Sequence, residues 1–265
     1  MVQGKKLVIL LSLIALLGAS ACGASDDPAA DDGPEAKPSV AEPVAPEVLT
    51  ATMHDDRVDF VASVEAEPVT VRIDNRSKHK ELFLIFARLN EGASKEKVVK
   101  QLASGSEKVL ELITVAGGVF LEPKAPGEAT ILFPEGSYLA TDPEAKGMEP
   151  AFFDVLPATG PPVEEPDSLG TISVGEYFFK AEEPLPGGEG VYKIENVGEQ
   201  SHEVIVSRGK KEAGFALAPA PGGALWAAIG DSFKPGEYEF VCYFPDADSG
   251  KPHIKLGMKA TFKVE

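Results

Sequence analysis

From residue 48 onward, apolar residues come in short runs closed by Pro, Gly, Asn or Asp. Val69-Thr-Val-Arg-Ile73, Ile172-Ser-Val174, Val204-Ile-Val206, Tyr238-Glu-Phe-Val241 and Thr261-Phe-Lys-Val264 alternate apolar with polar positions, or nearly so. Val58 to Ala62, Leu82 to Phe86, Tyr177 to Phe179 and Val191 to Ile194 have the same length and flanks. A period of two means that one face of each segment is buried and the other wet, so these are strands. Many short strands separated by turns predict an all-β fold of β-sandwiches. One segment departs from the pattern. Val98, Val99 and Leu102 share a helical face behind Ser94, a capping residue, which predicts a short surface helix over 94–103.

The strand pattern repeats. Val71-Arg-Ile-Asp-Asn75 followed by Lys80-Glu-Leu-Phe-Leu84 reads like Tyr192-Lys-Ile-Glu-Asn196 followed by His202-Glu-Val-Ile-Val206. Gly117-Gly118 recurs as Gly222-Gly223, and Pro134 to Tyr138 as Pro235 to Tyr238. Gly147-Met148 with Phe152 recurs as Gly257-Met258 with Phe262. Five landmarks in one order predict an internal duplication. The predicted units are 48–157 and 168–265, joined by a Pro-rich linker over 158–167.

The segment ahead of residue 48 has a different texture. A basic head, Lys5-Lys6, precedes the apolar run Leu7 to Ala21, which is too short to span a bilayer and has the form of a secretory signal over 1–21. Ala19-Ser-Ala-Cys22 at its end resembles the bacterial lipobox, which implies that Cys22 is acylated and that the chain hangs from a membrane by lipid. Residues 22–47 carry seven acidic residues against Lys37, together with five prolines, and predict a disordered tether. Of the formal charge of −17, the signal contributes +2, the tether −6 and the remainder −13. Such an acid excess argues against nucleic acid as a partner.

Only two cysteines and four histidines are present. If Cys22 is lipidated, Cys242 has no disulfide partner outside the cytoplasm, where a free thiol calls for a reason. The second repeat places Cys242, His253 and Met258 in one stretch between its last two strands, with His202 on an earlier strand. One thiolate, two imidazoles and a weak thioether make up the donor set of a blue-copper electron-transfer site. Taken singly, each residue also reads as an ordinary core or loop residue.

These residues resemble the cupredoxin family: Asn196 ahead of the first His, the turn into Tyr238, Cys242 at the strand end, His253 before Gly257-Met258, and the terminal strand. The resemblance covers most of 168–265 and, more weakly, 48–157. It implies two tandem cupredoxin-like Greek-key sandwiches and one mononuclear copper, with His202, Cys242 and His253 as equatorial ligands, Met258 as the axial ligand, and Asn196 bracing the ligand loop. One departure stands out. Ten residues separate Cys242 from His253, where small blue copper proteins have only a few, and this puts the rigidity of the site in doubt. In the first repeat, Thr141 or Asp142 stands in place of Cys242 and Lys80 in place of His202, so that copy is expected to hold no metal and Met148 to be a remnant.

The resulting expectation is a lipid-anchored, extracytoplasmic copper protein that carries single electrons, with a basic redox partner such as a c-type cytochrome steered by its negative charge. The rivals are a metal-free interaction lipoprotein and a copper storage or delivery protein. No His-x-His pair and too few histidines for a copper cluster lead to the further expectation that the chain is not an enzyme.

Overall fold

The computed structural model describes residues 42–121, 127–145, 147–230 and 232–265. The signal segment, Cys22 and the tether up to residue 41 lie outside the described residues.

The first half supplies β1 (Glu47–Met53), β2 (Val58–Asp59), β3 (Ser63–Glu65), β4 (Pro68–Asn75), β5 (Leu82–Leu89), α1 (Lys95–Ser104), β6 (Ile113–Leu121), β7 (Glu128–Leu132), β8 (Gly136–Thr141) and β9 (Ala151–Leu156). The second half supplies β10 (Thr171–Gly175), β11 (Phe178–Ala181), β12 (Tyr192–Asn196), β13 (Glu203–Arg208), β14 (Lys211–Leu217), β15 (Ala224–Ala227), β16 (Gly236–Val241) and β17 (Lys259–Val264). Alternation governs what each strand buries. In β17, Phe262 and Val264 face the core while Lys259 and Lys263 face water. Helix α1 begins where expected: the Ser94 hydroxyl accepts from the Lys97 amide, and Val98 is buried beneath the helix.

The two halves have one topology. In the first, β1 pairs parallel with β4 and β4 antiparallel with β7; in the second, β10 pairs parallel with β12 and β12 antiparallel with β15. Strand β5 lies between β6 and β8, with β9 beyond β8. Likewise β13 lies between β14 and β16, with β17 beyond β16. Parallel neighbours joined by long connections within otherwise antiparallel sheets give a Greek-key sandwich, so the all-β, Greek-key expectation holds.

Side-chain bonds repeat as well. The Asn75 amide donates to the His79 carbonyl and accepts from the Ser77 amide; Asn196 does the same with Gln200 and Gly198. Tyr138 and Tyr238 each donate to the carbonyl four residues earlier. Two landmarks need correction. Gly117-Gly118 lies inside β6, the counterpart of β14, whereas Gly222-Gly223 is the turn into β15. The equivalent of Phe262 is Phe153 rather than Phe152, because those two pair with the corner tyrosines, Tyr238 with Phe262 and Tyr138 with Phe153.

The halves also share a sheet. β7 and β15 pair antiparallel, Ile131 opposite Leu225 and Thr130 opposite Trp226, giving the strand order β11-β10-β12-β15-β7-β4-β1-β2. This order reads the same from either edge once repeats are equated, so a local two-fold lies between β7 and β15. Pairing removes two exposed sheet edges at once, and one apolar core runs through both halves. The segment expected as a linker is exposed and extended but held: Thr159 bonds to the Glu65 carboxylate, and Val163 pairs with Val44 at the end of the expected tether.

Candidate metal centre

Three places in the second half converge. His202 immediately precedes β13, Cys242 immediately follows β16, and His253 opens a short 3-10 turn (His253–Leu256) that leads into β17. The strands fix the first two. The ten residues between Cys242 and His253 do not hang free, despite the expectation that a long loop loosens the site. They fold back as a small hairpin: Pro245 bridges Pro252, the Asp246 amide donates to the Lys251 carbonyl, and His253 N–H donates to Phe244. Ile254 N–H then donates to the Cys242 carbonyl at 2.8 Å, which ties the two ligand positions together.

All three side chains are fully buried, and their ligand atoms lie within 4.8 Å of one another. His202 Nδ1 and His253 Nδ1 are 3.1 Å apart, and Cys242 Sγ is 3.5 Å from His253 Nδ1. Met258 is also fully buried. Its N–H donates to the His253 carbonyl and its carbonyl faces the Cys242 amide, so it lies next to the group in the chain. Asn196 is 1% exposed; besides its turn, it donates to the Pro219 carbonyl and joins the loop ahead of His202 to the one ahead of β15.

Around these groups stands a polar shell that the sequence reading missed. Glu176, in the turn between β10 and β11, puts Oε1 3.3 Å from His202 Nε2. The same oxygen accepts from the Glu199 and Gln200 amides at 2.8 and 2.9 Å. Gln200 places Oε1 3.4 Å from His253 Nε2, and this oxygen accepts from the Ala247 amide. Tyr177 stands edge-on to the His253 ring with centroids 5.3 Å apart. Its hydroxyl donates to Asp246, which also receives the Gln200 amide and the Ser249 N–H and hydroxyl. The one available signal was Asp246 followed three residues later by Ser249, a turn pattern; nothing local distinguished Glu176 from other turn carboxylates.

Burial sets the charge states. It pushes the Cys242 thiol up to about 11 and His202 down to about 4, and it lowers His253 as well. Glu176 is opposed by its burial, but the amides of Glu199 and Gln200 outweigh this and hold it below the usual range. The Ser249 and Tyr177 hydroxyls hold Asp246 far below it.

The donor set fits a metal ion. Acceptors stand at both Nε2 atoms, which favours the Nε2–H tautomer of each ring and turns both Nδ1 lone pairs inward toward the sulfur. An ion at ordinary imidazole and thiolate distances in a tetrahedral arrangement spaces two nitrogens about 3.3 Å apart and nitrogen from sulfur about 3.5 Å. The observed 3.1 and 3.5 Å match these spacings. Thiolate beside imidazole selects the softer d-block ions, copper among them.

The first half has no such group among the described residues. Its site corner is filled otherwise: Asp142, the residue after the end of β8, is buried and caps the Glu144 amide. Counted from the shared asparagine turn, the exposed Glu81, rather than Lys80, occupies the place of His202. His79 and His54 are surface residues; His54 bonds to Asp59.

No family model matches the chain, and no curated protein is significantly similar to it. Solved structures do match. Auracyanin from Roseiflexus castenholzii shares 20% identity over 36% of this chain and 94% of its own, with a TM-score of 0.27. Auracyanin A, a blue copper protein from Chloroflexus aurantiacus, shares 14% over 42% of this chain and 99% of its own, at 0.29. A multicopper oxidase from Campylobacter jejuni shares 13% over 83% of this chain and 64% of its own, at 0.26. At these identities the likeness is one of fold. Even so, it corrects one expectation. The matches include multicopper oxidases, laccases and a copper-containing nitrite reductase, all enzymes. Catalysts share this fold, and the scarcity of histidines therefore does not exclude catalysis.

Proposed function

We propose that the second half holds one copper ion and that the chain passes single electrons through it. His202 Nδ1, His253 Nδ1 and the Cys242 sulfur would hold the ion, with Met258 as a fourth, weaker ligand and Asn196 bracing the segment that carries His202. Bound there, copper supplies a centre that cycles between Cu(I) and Cu(II). The observation that carries the reading is the burial of two imidazoles and a thiol converging from two strand ends and a 3-10 turn, with spacings that suit one ion.

The surrounding protein has three tasks in this reading. The strand ends of β13 and β16 and the pinned hairpin resist rearrangement when the ion changes charge. Burial keeps both imidazoles neutral, and the Nε2 acceptors keep them facing inward. Burial excludes water, and the thiol must release its proton when metal binds. In the full chain, added Cu(II) is expected to give an intense visible thiolate-to-copper absorption that Cys242→Ala abolishes. A colourless wild-type protein without bound copper would sink the proposal.

The same reading places the chain outside the cytoplasm, anchored through lipid on Cys22, with the acidic surface steering a basic partner such as a c-type cytochrome. Radiolabelled palmitate should enter the wild-type chain and not Cys22→Ala, and association with such a partner should slow as salt rises.

A further inference from the structure

We infer that Glu176 is a positioning residue for the metal centre: its anchored carboxylate holds the His202 ring with Nδ1 inward and favours the more highly charged state of the bound ion. This rests on the reading of His202 as a copper ligand.

Three observations carry it. First, the carboxylate is fixed. Two backbone amides from Glu199 and Gln200 clamp Oε1, and its side chain is half-buried, 28% exposed. A clamped charge acts on its neighbour without the entropy loss that weakens exposed pairs. Second, that oxygen faces His202 Nε2 at 3.3 Å, on the far side of the ring from Nδ1. An outer carboxylate on a ligand imidazole fixes the tautomer and raises the basicity of the ligating nitrogen. Third, the first half provides an internal comparison. There Asp55 accepts from the Lys78 amide, three residues past Asn75, as Glu176 accepts from Glu199, three past Asn196. The first amide bond is thus common to both repeats and both acids hold the turn, while the His79 amide, in the place of Gln200's, donates to Ser77. Only in the metal-competent repeat does the acid carry an extra methylene and meet an imidazole. Holding the turn and an exposed pair with the Lys78 ammonium at 3.8 Å account for Asp55, but neither explains the contact of Glu176 with the buried His202 ring.

The charge of the bound ion sets the expected effect. Losing an outer-shell partner costs about 10–100-fold in metal affinity. Coulomb attraction scales with ionic charge, so a 10–100-fold loss for Cu(II) corresponds to about 3–10-fold for Cu(I). In the full chain, Glu176→Gln keeps an oxygen for the two amides and for Nε2–H but removes the charge. It should retain the visible band and shift the ratio of Cu(II) to Cu(I) affinities about 3–10-fold toward Cu(I), read by chelator competition in each oxidation state. Asp55→Asn should leave the ratio unchanged. Glu176→Asp, which the first half shows can hold this turn, should shift the ratio in the same direction by less. In the copper-free chain, nitrogen-15 NMR should find the His202 proton on Nε2.

An unchanged ratio in both Glu176 variants, an equal loss for both oxidation states, or a copper-free His202 protonated on Nδ1 would each overturn the assignment of Glu176 while leaving the copper site standing. A wild-type chain that binds no copper would overturn both.

Discussion

Replacing Asn196 by Ala tests whether the segment ahead of His202 is braced as the structure implies. The side chain makes three hydrogen bonds: to the carbonyls of Gln200 and Pro219 and from the amide of Gly198, at 2.8, 2.9 and 3.0 Å. Each contributes about 1 kcal/mol net, and a buried acceptor left without a donor costs about 1–3 kcal/mol more than one that water can reach. Pro219 is such an acceptor, since it lies in the interior. The expected loss is therefore about 4–6 kcal/mol, large against the total of about 5–15 kcal/mol by which domains are stable. Asn75→Ala is the control. It breaks the same turn in the first half, where the His79 carbonyl is exposed and water can replace the lost donor. That variant loses its three bonds without the buried-acceptor penalty and should cost about 3 kcal/mol. Urea unfolding followed through Trp226, the single tryptophan, which lies at the β7–β15 junction, reads both variants. Equal losses from the two variants, or a loss below about 1 kcal/mol for Asn196→Ala, would refute the reasoning from burial.

Three further outcomes follow from the same structure. Trp226→Ala should cost about 3–5 kcal/mol, because the ring is 2% exposed and borders the pairing that joins the halves; a change under 1 kcal/mol in urea unfolding followed by circular dichroism would contradict a shared core. Asp246 is held ionised by the Ser249 and Tyr177 hydroxyls, so its contribution to stability is complete above the ordinary carboxylate range and fades as pH falls below about 4. Thermal melting from pH 7 to 3 should show the advantage of wild type over Asp246→Asn shrinking with acid, and an advantage constant across that range would contradict the network. Gly214→Ala should destabilise or fail to fold, since a Cβ there would meet the Ile229 carbonyl oxygen at 2.0 Å; a soluble variant of wild-type stability would refute that close approach.

Much of the architecture was legible along the chain because alternation is local. Phe262 and Val264 point inward with Lys263 between them whatever β17 pairs with, and the Ser94 cap announces α1 three residues ahead of the amide it accepts. The convergence of His202, Cys242 and His253 was foreshadowed too, since their residue types and spacing set them apart as candidate donors. The expected absence of catalysis was not, because a histidine count describes ligands and says nothing of what a shared fold does elsewhere.

The sequence by itself determined which residues form strands, which face each strand buries, that the strand pattern occurs twice, and which side chains can bind a soft metal. Tertiary structure decided how those parts meet. It turned Gly117-Gly118 into the middle of β6, joined the repeats edge to edge through β7 and β15, pinned the long ligand loop as a hairpin, and set Glu176 against His202 across 26 residues of chain. The physical reason is that a period of two names the face a residue occupies but not its partner. Partners are chosen by which exposed edges and unpaired polar groups the folded chain brings together, and those lie tens to a hundred residues apart.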